Sequence, residues 1–138
     1  MEHHLTAFTL INPDASVPHK ERLGCCYELA GSLAQHNPEV VLVHGSIQGM
    51  GAPRIGHAWA VLPDGSVWEP ATNQMWKSSV FEAFFRPRVD KKYENQAMLR
   101  KIVRHEHWGP WEAKSSGLVN WTGNQSKGGH RGKAPQHR

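Results

Sequence analysis

The first regular pattern of apolar and polar positions begins at Gly24. Four apolar residues recur at i, i+3, i+4 and i+7, the spacing of one helix face: Cys26, Leu29, Ala30 and Leu33. The Asn37-Pro38 pair ends this pattern, because the residue before a proline avoids helical angles. The spacing therefore predicts a helix over residues 24–36, with Cys26 in its first turn.

Three runs rich in β-branched or alternating apolar residues come next and predict strands: residues 40–47, 55–62 and 66–69. The turn sequence Pro63-Asp64-Gly65 separates the last two runs. A three-residue hairpin loop at this turn would place Glu69 on the same strand face as His57. A two-residue loop would place Glu69 on the opposite face, so the register decides whether the two side chains meet.

The second half of the chain carries weaker patterns. The aromatic residues of 81–85 predict a helical turn that stops at Pro87. Asp90 is predicted to cap a helix that runs to about His105. This order of elements predicts an α+β fold, in which the helix bearing Cys26 packs on a small antiparallel sheet.

Length and composition suit one folded domain, which we place at residues 1–113. Residues 114–138 are rich in Gly, Ser, Asn, Gln, Lys and His, and are predicted to form a disordered basic tail. No apolar run is long enough to cross a bilayer and no secretory signal is evident, so we expect no membrane partner. Adjacent Cys25 and Cys26 do not suit a disulfide, which favours a reducing compartment, the cytoplasm.

The net charge of +4 is concentrated near the C-terminus. No acid follows Glu112, whereas five cations do: Lys114, Lys127, Arg131, Lys133 and Arg138. The last four of these are candidate contacts for nucleic acid or an acidic partner. A solubilising or tethering role explains the same composition equally well. Four earlier cations would extend the basic surface: Arg86, Arg88, Lys91 and Lys92.

Cys26, His57 and Glu69 are candidate catalytic residues. A thiol is nucleophilic as the thiolate, and a helix N-terminus favours negative charge. His57 would accept the thiol proton and later protonate the leaving group, while Glu69 would fix its tautomer and steady the imidazolium. The backbone amide of Cys26 is the expected oxyanion donor.

Three blocks of sequence resemble those of papain-like and transglutaminase-like proteins: Gly24-Cys25-Cys26-Tyr27-Glu28-Leu29-Ala30, Gly56-His57-Ala58-Trp59-Ala60-Val61 and Asp64-Gly65-Ser66-Val67-Trp68-Glu69-Pro70-Ala71-Thr72. The resemblance covers about residues 20–75 and aligns Cys26, not Cys25, with the nucleophile. It implies a cysteine at a helix start, a histidine on a strand and a carboxylate on the next strand. This chain has Glu69 where Asp or Asn is usual, and His19 and Lys20 where papain-like enzymes carry a glutamine.

These features predict thiol-dependent acyl transfer at an amide bond of a peptide or protein. Hydrolysis is the default, because water needs no second binding site, and Trp59 and Tyr27 are the expected substrate contacts. The alternative is a non-catalytic phage or bacterial accessory protein that binds nucleic acid or a protein through the tail. A metal-dependent enzyme is disfavoured, because His105 and His107 lack a third ligand at a recognisable spacing. We therefore expect neither metal nor cofactor.

Overall fold

The structure is a computed structural model that describes residues 10–112. Its helices are α1 (His19–Arg22), α2 (Cys26–His36), α3 (Ser78–Phe85) and α4 (Asn95–His105), with a 3₁₀ turn at Leu23–Cys25. Its strands are β1 (Val41–Ile47), β2 (Ile55–Val61), β3 (Val67–Glu69), β4 (Gln74–Trp76) and β5 (Arg88–Tyr93). Within this part of the chain, no helix is long and apolar enough to cross a membrane. The predicted tail, 114–138, lies outside the described residues.

The five strands form one antiparallel sheet in the order β4-β3-β2-β1-β5. Its two faces carry separate hydrophobic clusters, because successive side chains of a strand point to opposite faces. Ala58 and Ala60 of β2 join α2 in the larger cluster, whereas Trp59 joins Phe81 of α3 in the smaller one. The sequence prediction of an α+β fold with an antiparallel sheet is confirmed.

The β2–β3 hairpin has a three-residue loop. This loop length decides whether the side chains of His57 and Glu69 lie on the same face of the sheet. Val61 pairs with Val67, and the Leu62 N–H donates to the Ser66 carbonyl at 2.9 Å. Gly65 closes the loop with φ of +92°, a left-handed conformation that glycine adopts without strain. Glu69 therefore lies on the same face as His57, as the three-residue register predicts.

The region before α4 differs from its sequence prediction. Asp90 does not cap a helix; it lies within the edge strand β5, and α4 starts later, at Asn95. The error has a physical cause, since β5 is stabilised by pairing with β1 and its outer positions are charged, which hides strand periodicity. The short α1 and β4 were not predicted either, and α3 begins before the predicted turn at 81–85.

A β-bulge at His44 and Gly45 sets how β5 lies against β1. A Cβ atom at Gly45 would overlap the backbone carbonyl oxygen of Arg88, whose position is fixed by the sheet. Glycine is therefore required at this position by close backbone approach, not by its φ angle.

We predict that Gly45→Ala lowers the free energy of unfolding by about 1–3 kcal/mol, because β5 must shift away from β1. Urea unfolding of both proteins measures the difference. Gly49→Ala is the matched control, since a Cβ there meets nothing within 4 Å. Equal stability of the two variants would contradict the close approach seen at Gly45.

Candidate functional site

His57 and Glu69 form a hydrogen-bonded pair inside the protein. The Nε2 atom of His57 donates to Oε2 of Glu69 at 2.6 Å. The two residues are 1% and 0% exposed, and Cys26 is 1% exposed. Water therefore does not screen this pair, so its charges must be balanced by protein groups.

The turn that follows β3 holds the Glu69 carboxylate in place. Its Oε2 also accepts from the Ala71 N–H at 2.9 Å. Its Oε1 accepts from the Thr72 N–H at 2.7 Å and from the Thr72 hydroxyl at 2.8 Å. Successive backbone N–H groups form a concave anion site of this kind. The longer glutamate side chain thus reaches His57 while its carboxylate is fixed by the turn.

Ala71 and Thr72 were not predicted from the sequence to take part in this site. Thr72 also accepts a hydrogen bond from the indole Nε1 of Trp76 at 3.1 Å, so β4 supports the same carboxylate. The available signal was the placement of a threonine three residues after Glu69, a spacing at which a hydroxyl and an amide reach back to a side chain.

Cys26 is the first residue of α2, as predicted. Cys25 has φ of −126° and ψ of 23°, which separates α2 from the preceding 3₁₀ turn and gives α2 its own N-terminus. The Cys26 side chain lies close enough to the His57 ring for its charge and hydrogen bonding to raise the pKa of His57. Because Nε2 of that ring is engaged by Glu69, Nδ1 is the nitrogen left for the sulfur. The structure therefore brings together all three predicted catalytic residues.

Burial and neighbouring charges act in opposite directions on His57. Burial lowers its pKa, but the charge and hydrogen bond of Cys26, followed by those of Glu69, outweigh burial and raise the pKa to about 10. Burial raises the pKa of Glu69, yet its hydrogen bonds to His57, Ala71 and Thr72 hold that pKa below its ordinary value. At neutral pH the site thus contains an imidazolium beside a carboxylate, with the Cys26 sulfur on the other side.

Arg22 connects the segment that precedes Cys26 to the turn that follows Glu69. Its Nε donates to the Pro70 carbonyl at 2.8 Å, directly after Glu69. Its Nη1 donates to the carbonyls of Asp14 and Val17, at 3.0 and 3.2 Å. Arg22 is buried and lies four residues before Cys26. It therefore positions the start of α2 relative to the Glu69 turn, a role not predicted from the sequence because the Pro70 carbonyl lies 48 residues away.

The two predicted substrate-binding aromatics are buried. Trp59 stacks on the His57 ring with a centroid separation of 6.2 Å and packs on Phe81. Tyr27 packs edge-on against the His44 ring at 4.7 Å. Their contacts support the site from within the core, and their role in substrate binding stays a prediction. Cys25 is half-buried, and the candidate contacts Lys127, Arg131, Lys133 and Arg138 lie outside the described residues.

Metal binding has little support in the geometry of residues 10–112. In that range, no group of three or more His, Cys, Asp or Glu residues is arranged to hold a metal ion. The rings of His105 and His107 lie 5.9 Å apart at the end of α4. The expectations of no metal and no cofactor stay predictions.

Comparisons with protein-family models, with curated proteins and with solved structures found no match. The assignment of a function therefore depends on the geometry of this site.

His44 is a second buried histidine, and its surroundings are the opposite of those of His57. Neither ring nitrogen has a hydrogen-bond partner among the described residues. The rings of Tyr27, Tyr93 and Trp111 lie within 5.0 Å of its centroid. Burial, helped by the charge of His107, lowers its pKa to about 3. His44 is therefore neutral in the folded protein throughout the physiological range.

We predict that His44 destabilises the fold in mild acid. Below its ordinary pKa of 6.5 the unfolded chain binds a proton that the folded protein does not bind until about pH 3. The free energy of unfolding should thus fall by up to about 1.4 kcal/mol per pH unit as pH drops through this interval. Urea unfolding between pH 6.5 and 4.5 measures this slope. The interval lies above the pH range in which Glu69, whose pKa is lowered, takes up a proton.

His44→Leu is the test variant, because leucine is of similar size and needs no hydrogen-bond partner. We expect it to remove most of the slope in this interval and to leave stability at neutral pH equal or higher. His57 does not interfere, since a raised pKa costs stability only as pH rises above 6.5 towards 10. An unchanged slope in the variant would show that His44 is not the group responsible.

Proposed function

We propose that the protein catalyses thiol-dependent acyl transfer at an amide bond, most simply hydrolysis, in the manner of papain-like and transglutaminase-like enzymes. The observation that carries the proposal is the position of His57 between the Cys26 sulfur and the Glu69 carboxylate. A nucleophile, a base and a group that orients the base are the components of a catalytic triad. The sequence blocks around the three residues support the same enzyme class.

Acylation begins with the ion pair of Cys26 and His57. An imidazolium beside a cysteine stabilises the thiolate, which attacks the carbonyl carbon of the substrate. As the tetrahedral intermediate collapses, the carbon–nitrogen bond breaks and the imidazolium protonates the leaving amine. The products are a thioester on Cys26 and a neutral His57.

Deacylation returns both groups to their starting states. His57 accepts a proton from water, the resulting hydroxide attacks the thioester, and the thiolate leaves as the carboxylic acid forms. Glu69 keeps Nε2 protonated throughout, so Nδ1 faces the reacting atoms in each step. An amine in place of water would give transamidation by the same route.

The reaction also requires an oxyanion donor and access to the buried sulfur of Cys26. The backbone N–H of Cys26, at the start of α2, is the proposed oxyanion donor. Because Cys26 is only 1% exposed, a substrate reaches its sulfur after neighbouring side chains move. Trp59 and Tyr27 are the proposed substrate contacts in that open arrangement.

The alkylation rates of the two cysteines distinguish a catalytic thiol from a buried, inert one. Accessibility alone favours Cys25, which is half-buried, over the fully buried Cys26. We predict the reverse: iodoacetamide at pH about 6 should modify Cys26 at least about tenfold faster than Cys25, because the His57 imidazolium lies beside Cys26. Peptide mass spectrometry of timed samples measures both rates.

The same assay on variants tests each member of the triad. His57→Ala and Glu69→Gln should slow Cys26 alkylation at this pH, whereas His44→Leu, the matched buried histidine, should leave it unchanged. With p-nitrophenyl acetate, an acetyl group should appear on Cys26 and then be lost by hydrolysis, and Cys26→Ser should abolish turnover while Cys25→Ser retains it. Faster alkylation of Cys25, or acetylation unaffected by His57→Ala, would refute the catalytic proposal.

A further inference from the structure

The charges of the described residues are strongly segregated along the chain. Residues 10–112 contain equal numbers of acidic and basic side chains, eleven of each, so their formal charge is zero. Residues 86–104 alone contain seven lysines and arginines and two acids, a net charge of +5. The rest of this range therefore carries −5. Such separation produces a local positive potential that the near-neutral total conceals.

A groove of about 500 Å³ between β5 and α4 collects most of these cations. Five of them line it: Lys91, Lys92, Arg100, Lys101 and Arg104. Two carboxylates also line the groove, and one of them, Glu112, pairs with Lys101 at 2.8 Å. Five cations and two carboxylates line the groove, which leaves an excess of positive charge.

The spacing of these cations suits a repeating anion. Arg100 and Arg104 lie one helical turn apart on α4, with Cβ atoms about 5–6 Å from each other. Both are exposed, as are Lys91 and Lys92 on the neighbouring edge strand. Guanidinium groups bind phosphate through two parallel hydrogen bonds, whereas lysines act as point charges.

The basic surface continues along β5 beyond the groove. Arg88 begins β5 and Lys92 lies four residues later, a distance of roughly 13 Å in an extended strand. At the Arg88 end, burial together with the charges of Arg88 and Arg86 lowers the pKa of Arg54. Like charges are therefore crowded there as well, and a ligand that spans both ends must be longer than a single phosphate.

The amino-acid sequence that follows the described residues is also basic. Glu112, the last described residue, lies on the groove, and the 26 residues that follow it carry five cations and no acid. Cations on both the groove and the following segment suit a polymer of negative charge. Met98 and Ile102 of α4 are buried in the core, and Val103 is the one apolar residue among the exposed residues of this helix, too little for an apolar stripe that inserts into a bilayer.

We propose that the groove between β5 and α4 binds the phosphate backbone of a nucleic acid without base specificity. The proposal is independent of the catalytic one, because Cys26, His57 and Glu69 take no part in it. Phosphate contacts of this kind release counterions, so affinity must fall steeply with salt concentration.

Fluorescence anisotropy with labelled single-stranded DNA, duplex DNA and RNA of matched length tests the proposal on the full chain. We expect the double variant Arg100→Gln/Arg104→Gln to weaken binding by about tenfold or more and to reduce the salt slope by about 1 per removed charge. Arg100→Lys/Arg104→Lys should recover most of the slope. A tail variant, Lys127→Gln/Arg131→Gln/Lys133→Gln/Arg138→Gln, separates any effect of the C-terminal cations from that of the groove.

The matched control is Lys20→Gln/Lys77→Gln, which removes two exposed charges away from the groove. If this control weakened nucleic-acid binding as much as the groove variant does, only the net charge would matter and the proposed site would be overturned. The proposed site would also be overturned if the tail variant lost binding while the groove variant kept it. Equal or tighter binding of polyglutamate, or of vesicles rich in anionic lipid, would refute nucleic acid as the ligand. The comparison of DNA with RNA identifies which phosphate polymer binds.

Discussion

A histidine and a glutamate that are buried side by side, with a thiol on the far side of the histidine, constrain the rest of this structure. Removing two charges from water costs several kcal/mol, and their attraction offsets that cost only if further hydrogen bonds satisfy them. Glu69 accepts such bonds from Ala71, Thr72 and His57, and Cys26 lies on the other side of the His57 ring. The pair is therefore stable only when the β2–β3 register, the turn after β3 and the start of α2 are all in place.

Each of those elements is fixed by a separate set of contacts. Gly65 sets the hairpin register, and the hydroxyl of Thr72 ties the turn to the carboxylate. Arg22 joins the segment before Cys26 to the Pro70 carbonyl. The three catalytic candidates thus come from different parts of the chain but are held by short-range contacts.

The sequence was informative where one local rule decides the outcome. The apolar spacing around Cys26 predicted α2, and the Pro63-Asp64-Gly65 turn predicted the hairpin but left two registers open, of which the structure has the one that brings Glu69 to His57. It failed for β5, because pairing with β1 and a bulge opposite Gly45 decide that strand, and Asp90 in isolation is typical of a helix cap. The role of Arg22 was not predictable either, since it depends on carbonyls up to 48 residues away.

The central claim is that His57 is an imidazolium held between Cys26 and Glu69, and its ring can be observed directly. Nitrogen-15 NMR of the histidine rings, assigned with His57→Ala, follows the protonation of both ring nitrogens as pH rises. The account predicts that both stay protonated through neutral pH and titrate near a pKa of about 10, and that Glu69→Gln lowers this value. A ring that is already neutral at pH 7 would contradict the ion pair and the chemistry derived from it.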